Sequence, residues 1–203
     1  MKTRTDLLNH LVATRGYRRY LEIGVRDPRH NFNRVRAEVK DSVDPAPRRP
    51  VTFQMTSDAF FAARETGGPS APYDLAFIDG LHLAEQVERD VANCLRHLAP
   101  GGTIVLHDCN PMAESAQVET YEPGAHWNGT VWKAWAKLRA TRADLSMCVV
   151  DIDEGCGVIR PGSQSPIALP TLDYAAMTYD LLAARRRELL NLVPVEQFLA
   201  LGA

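Results

Sequence analysis

Four acidic residues, Glu22, Asp44, Asp79 and Asp108, each stand at the end of a short predicted strand. Tyr20-Leu21-Glu22-Ile23 closes on Gly24, residues 39–43 close on Asp44, residues 73–78 on Asp79, and residues 103–106 on His107-Asp108. One carboxylate at a strand end often does no more than cap the following helix. Four at equivalent ends of an open parallel sheet converge on one crevice, where ligands of such sheets bind. There they accept hydrogen bonds from hydroxyl groups and hold positive charge. Two imidazoles, His82 and His107, accompany them, and histidine is the side chain that exchanges protons near neutral pH.

The rest of the chain supplies the elements that position these groups. Leu7, Leu8, Leu11 and Val12 recur at helical spacing before Gly16, which predicts an opening helix with a glycine stop. Residues 51–55 suit a short strand, and Ser57 is placed to cap a helix carrying Phe60 and Phe61. Val87, Val91, Cys94, Leu95 and Leu98 trace one face of a helix expected to run to Pro100-Gly101-Gly102. Asn128 is placed to cap a helix through Val131, Trp135 and Leu138, residues 145–150 and 157–159 pair as terminal strands, and residues 171–203 form a leucine-rich helical tail. Short apolar strands alternating with amphipathic helices require right-handed crossovers and a parallel sheet. The expectation is one α/β domain over residues 1–203, Rossmann-like and doubly wound, with a mostly parallel seven-stranded sheet and helices on both faces.

Composition narrows the function. The chain has 203 residues, 45% of them hydrophobic and 24% charged, with a formal net charge of −2. That balance suits one soluble domain and disfavours a general nucleic-acid binder. No apolar run approaches the roughly 20 residues that span a bilayer. The opening segment is charged and lacks a secretory apolar region, so a cytoplasmic location is expected. Cys94, Cys109, Cys148 and Cys156 form no CxxC pair, and a disulfide framework is not expected.

The turn after the first strand separates two classes of cofactor. A dinucleotide pyrophosphate needs several glycines for close backbone approach. Here Gly24 leads into Val25-Arg26-Asp27-Pro28, with no second glycine. A cofactor with a ribose and no phosphate fits better. Asp44, twenty residues past Gly24, is placed to hold the ribose hydroxyls. S-adenosylmethionine meets both conditions.

These motifs resemble a known family. Residues 20–25 look like the first motif of class I S-adenosylmethionine-dependent methyltransferases, and Ser42-Val43-Asp44-Pro45 like the second. Phe77-Ile78-Asp79-Gly80-Leu81-His82 and Gly101-Gly102-Thr103-Ile104-Val105-Leu106-His107-Asp108 are similar to the sugar and small-molecule O-methyltransferases of macrocin, mycinamicin and novobiocin type. The resemblance implies that Glu22 and Gly24 contact the methionine end of the cofactor, that Asp44 holds the ribose, and that residues 56–58, with Ser57 among them, border the adenine. In the metal-using relatives the position of Asp79 and two adjacent acids after the later strand bind a divalent cation, and the position of His82 is the general base. Asp79, His107 and Asp108 would form the metal set here, or His107 is a structural histidine hydrogen-bonded beneath the site. His107 replaces the first acid of that pair, which either weakens a magnesium site or favours a transition metal.

Methyl transfer from a sulfonium needs the acceptor lone pair aligned with the methyl carbon and, for an alcohol, a proton removed. A cation on Asp79 and Asp108 would acidify the hydroxyl, and His82 would take its proton; the alternative for His82 is a histidine that only caps or packs at the start of the next helix. The expected activity is therefore O-methylation of a sugar or other polyol-like small molecule, assisted by a divalent cation, with magnesium first in order. The competing readings are a metal-independent N- or carboxyl-methyltransferase and a non-catalytic cofactor-binding module. Residues 109–129 are read as a lid or acceptor loop in which Tyr121 and Trp127 stack on a sugar, or as an ordinary packed loop. Trp132 and Trp135 are read as core, Lys133 as solvated or pointing toward the acceptor, Arg185-Arg186-Arg187 as a solvated face or a partner contact, and Cys109 as a structural thiol. Arg15, Arg18 and Arg19 are read as solubilising or as contacts for an anionic acceptor. The tail leucines either cover the sheet or form a homodimer seam.

Overall fold

A computed structural model describes residues 1–67 and 70–200. Helix α1 (Arg4–Arg15) opens on a capping box, in which Thr3 and Asp6 satisfy each other's backbone amides, and stops at Gly16 in the left-handed region (φ 68°). Strands β1 (Arg19–Ile23), β2 (Val39–Val43), β3 (Tyr73–Ile78) and β4 (Leu98–Leu106) run parallel. Between them lie α2 (Ser57–Thr66) and α3 (Ala84–Arg96). Helix α4 (Val131–Thr141) leads to an antiparallel pair, β5 (Leu145–Val150) and β6 (Cys156–Pro161). Helix α5 (Tyr179–Leu190), a two-residue β7 (Leu192–Val193) and α6 (Val195–Ala200) complete the chain.

The sheet order is β2-β1-β3-β4-β6-β5-β7, seven mostly parallel strands. Side chains alternate between two cores, as strand geometry requires. Leu21, Ile23, Ala76, Ile78, Ile104 and Leu106 pack with α2, α3, α4 and α5. Tyr20, Leu75, Phe77 and Val105 pack with α1 and α6 on the opposite face. This is the expected doubly wound, Rossmann-like arrangement. Chain order reverses between β1 and β3, which puts the switch point at Gly24 and Asp79. Among the described residues no helix is long and apolar enough to cross a membrane.

Several local expectations are corrected. Residues 51–55 form no strand; Phe53 makes a single bridge to Val43. Thr56, not Ser57, caps α2, its side chain accepting from the Ala59 amide. Helix α3 stops at Arg96 and Leu98 already belongs to β4, so the apolar period of the helix runs on into a strand. Asn128 does not cap α4; the capping position is Thr130. In the tail, Val193 lies in β7 rather than a helix, because its backbone pairs with Val150. Leu182, Leu189 and Leu190 are buried against their own sheet, with Leu181 packed on the same core. Residues 201–203 of the tail lie outside the described residues.

Candidate active site

A cavity of about 740 Å³ opens at the carboxyl ends of β1, β2 and β3, and Glu22, Gly24, Asp44, Ser57, Asp79 and His82 all line it. Its floor depends on Gly24, whose φ is +87° and whose missing side chain leaves room for the Asp79 backbone; a Cβ there would sit 2.0 Å from the Asp79 carbonyl oxygen. The Asp44 carboxylate is fixed by backbone donors, accepting from the Arg26 and Ala46 amides, each at 2.8 Å.

Glu22 is buried on the cavity wall, 3% exposed. It accepts from the Tyr20 hydroxyl at 2.5 Å and from Asn31 Nδ2 at 2.9 Å. Burial pushes its carboxyl up to about 7, with the Tyr20 and Asn31 hydrogen bonds pulling the other way. A cation arriving beside this carboxyl would favour its charged form against the effect of burial.

The second half of the site is a compact charge cluster. His82 Nε2 lies 3.3 Å from Asp79 Oδ1 and 3.4 Å from Asp108 Oδ2. Asp79, His82 and Asp108 each offer a ligand atom within 4.8 Å of the others, a mixed carboxylate and imidazole set that fits a divalent transition ion better than magnesium. His107 and Asp108 do not line the cavity but lie beneath its floor, both buried. His107 Nδ1 is 2.9 Å from Asp108 Oδ2 and 3.3 Å from Asp79 Oδ1. Burial raises the Asp79 carboxyl, yet His107 and His82 hold it well below the usual carboxylate range. The same carboxylates raise both histidines against the opposing effect of burial.

Asp108 adopts a left-handed φ of 60°, a region aspartate tolerates better than most residues. Asn128 Nδ2 donates to its Oδ1 at 2.7 Å, so Asn128 orients a carboxylate instead of starting a helix. His82 is held at the head of α3 by its carbonyl, which accepts from the Thr130 amide at 2.8 Å.

The loop at 109–129 reaches the cavity: Tyr121 and Trp127 line it together with Leu81. Leu81 and Tyr121 are exposed, at 53% and 44%, which leaves apolar surface at the mouth. Cys109 is fully buried, hydrogen-bonded to the Leu106 carbonyl, and burial pushes its thiol well up; it is a structural thiol. Trp132 and Trp135 are fully buried core residues.

Three surface readings change. Lys133 is buried, not solvated, with Nζ donating to the Tyr174 carbonyl. Arg186 is likewise engaged, donating to Asn110 Oδ1 and the Pro111 carbonyl and so tying α5 to the loop after β4. Arg18 and Arg19 lie at the amino end of β1, away from the cavity, their amides bonded to Asp74.

Sequence reasoning missed Arg4, Asn31, Asn128 and Asp153 as site residues. Arg4 Nη1 lies 3.3 Å from Asp79 Oδ2 and within 2.9 Å of both ring nitrogens of His107. Asp153 Oδ2 accepts from the Arg4 amide at 2.8 Å, and its Oδ1 is 3.7 Å from His107 Nε2. The strand-end rule, extended to β5, leads to Asp151 and so to the turn that carries Asp153, because β5 points the same way as the parallel strands. A charged residue in a first helical turn carries no such signal.

Residues 7–109 match the family of the methyltransferase domain. Among solved structures, the O-methyltransferase from Bacillus cereus in complex with SAH is 14% identical, with a TM-score of 0.57 over 79% of this chain and 80% of that one. The O-methyltransferase TomG from Streptomyces achromogenes, in complex with SAM and involved in tomaymycin synthesis, is 16% identical, with a TM-score of 0.55 over 79% and 80%. SAH-bound PaMTH1 from Podospora anserina is 18% identical, with a TM-score of 0.52 over 80% of each chain. At these identities the likeness speaks for the fold. No curated protein matches the chain.

Proposed function

The chain belongs to the methyltransferase-domain family and is a class I S-adenosylmethionine-dependent methyltransferase; from that premise we propose that it methylates a hydroxyl oxygen of a small polyol-like molecule, with a sugar as the leading class. The observation that carries the reading is His82, whose Nε2 stands between Asp79 and Asp108 on the wall of the cavity that Glu22, Gly24 and Asp44 also line.

In this arrangement Asp44 holds the ribose hydroxyls, Ser57 borders the adenine and Glu22 faces the methionine end. The cofactor, when bound, would supply an activated methyl that passes to the acceptor oxygen as its bond to sulfur breaks, and His82 takes the hydroxyl proton. Asp79 and Asp108 stabilise the imidazolium that results, their carboxylates standing 3.3 and 3.4 Å from its Nε2. Asp79 and Asp108 would hold a divalent cation, which when bound would acidify the hydroxyl and align a vicinal diol, leaving the His82 ring free to take the proton. The exposed faces of Leu81 and Tyr121 and the ring of Trp127 support an acceptor with an apolar face, such as the C–H face of a sugar. The four cysteines are free thiols, which supports a reducing compartment such as the cytoplasm.

The test is transfer of a labelled methyl group from S-adenosylmethionine to a panel of sugars and polyols, with and without chelator. Turnover should be lost in His82→Ala. Failure of the protein to bind S-adenosylhomocysteine by calorimetry would overturn the assignment.

A further inference from the structure

We propose that Arg4 is a built-in counter-cation for Asp79 that competes with a divalent ion for that carboxylate, so that α1 sets how tightly the cluster of Asp79 and Asp108 holds such an ion. The inference rests on the reading of that cluster as a cation site given above.

The guanidinium is placed firmly. The first turn of α1 is fixed by the Thr3 and Asp6 capping box, and Leu7, Leu8 and Leu11 behind it are fully buried. The Arg4 amide is bonded to Asp153 Oδ2 at 2.8 Å. The next residue, Thr5, donates to Asn31 Oδ1 at 2.7 Å, and Asn31 in turn bonds Glu22. One helical turn therefore reaches both halves of the site, and Arg4 lines the cavity itself.

Asp79 is already shared. Its Oδ2 faces Arg4 Nη1 at 3.3 Å, while its Oδ1 has His82 Nε2 and His107 Nδ1 at 3.3 Å each. A cation that took Asp79 as ligand would meet the guanidinium across one carboxylate, where like charges repel and water screens them only in part, the two side chains being 29% and 21% exposed. The imidazoles can release a proton to make room. Arginine does not give up its charge in proteins, so its opposition persists at every working pH.

Mn²⁺ serves as the probe, because it accepts mixed oxygen and nitrogen ligands and is counted directly by electron paramagnetic resonance. Arg4→Gln, which removes the charge, should bind Mn²⁺ at least tenfold more tightly than the parent protein, and Arg4→Lys, which keeps it, should stay near the parent value. Arg4→Met carries the same expectation as Arg4→Gln if the glutamine variant does not fold. Equal or weaker Mn²⁺ binding in the neutral variant, or none in either protein at millimolar ion, overturns the proposal. S-adenosylhomocysteine binding by the parent protein is measured alongside; its loss would remove the methyltransferase reading, whereas its presence with unchanged Mn²⁺ affinities would remove only the role of Arg4.

Discussion

The indole of Trp127 lies almost parallel to the imidazole of His82, with ring centroids 4.8 Å apart and planes inclined by 16°. Trp127 is itself held, donating from Nε1 to the Val118 carbonyl at 2.6 Å and packing against Tyr121 at 5.4 Å. The loop after β4 thus clamps the ring proposed above as the base, a task that needs geometry within hydrogen-bond reach.

Trp127→Ala should lower kcat by about tenfold, as a loosened base loses productive orientation. Trp127→Phe, which keeps a flat ring, should recover most of it. Steady-state kinetics on both variants checks the point. A change confined to KM would assign Trp127 to acceptor binding alone.

Gly24→Ala should prevent the native packing of the first turn. The added carbon would meet the Asp79 carbonyl oxygen at 2.0 Å, and the backbone sits at φ +87°, a conformation costly to any L side chain. Both effects act where β1 and β3 part, so no flexible side chain can yield. The expected loss is more than about 2 kcal/mol of stability together with cofactor binding. Urea unfolding and calorimetry with S-adenosylhomocysteine measure the two. Native stability in this variant would mean that the turn can be rebuilt.

The acids at the strand ends were legible because strand period and parallel topology act on any sequence with that alternation: Glu22, Asp44 and Asp79 meet at one cavity as their positions require. The contacts among them were less so. Asn128 stands just before a helix and reads as a cap, yet its amide is drawn to Asp108 across the fold. Arg4 belongs to the site through the docking of α1 on the sheet, a long-range packing event that local spacing does not encode. The end of α3 was misplaced because Leu98 continues the apolar period of the helix while its backbone pairs with Tyr73. β7 was hidden by its length of two residues inside a leucine-rich tail.

Glu22 gives the site a pH signature. Its carboxyl lies at about 7 against an ordinary 4.5 because it is buried. The folded protein therefore holds this proton more tightly than the unfolded chain does. The stability it contributes is complete below about pH 4.5 and is lost as pH rises through 7. Cofactor binding should run the other way, because the carboxylate that forms above pH 7 attracts the positive charges of S-adenosylmethionine. Affinity should rise several-fold between pH 6 and 8. Glu22→Gln should flatten both trends. Calorimetry at the two pH values, paired with melts of the variant, provides the check, and an identical pH response in both proteins would exclude Glu22 as the source.

Thr130 joins the two helices that carry the clamp. Leu83, at the head of α3, has no capping side chain. The vacancy is filled from α4, where Thr130 Oγ1 accepts from the Ala84 amide at 2.8 Å, while the Thr130 amide donates to the His82 carbonyl at the same distance. Thr130 is 3% exposed, so water cannot replace a lost acceptor. Thr130→Val keeps shape and volume but leaves the Ala84 N–H without a partner, a loss of about 1–2 kcal/mol. Because Ala84 is two residues from His82, kcat should fall along with stability, and Thr130→Ser should restore both. Were Thr130→Val to melt at the parent temperature with full turnover, the cap would have no part in holding His82.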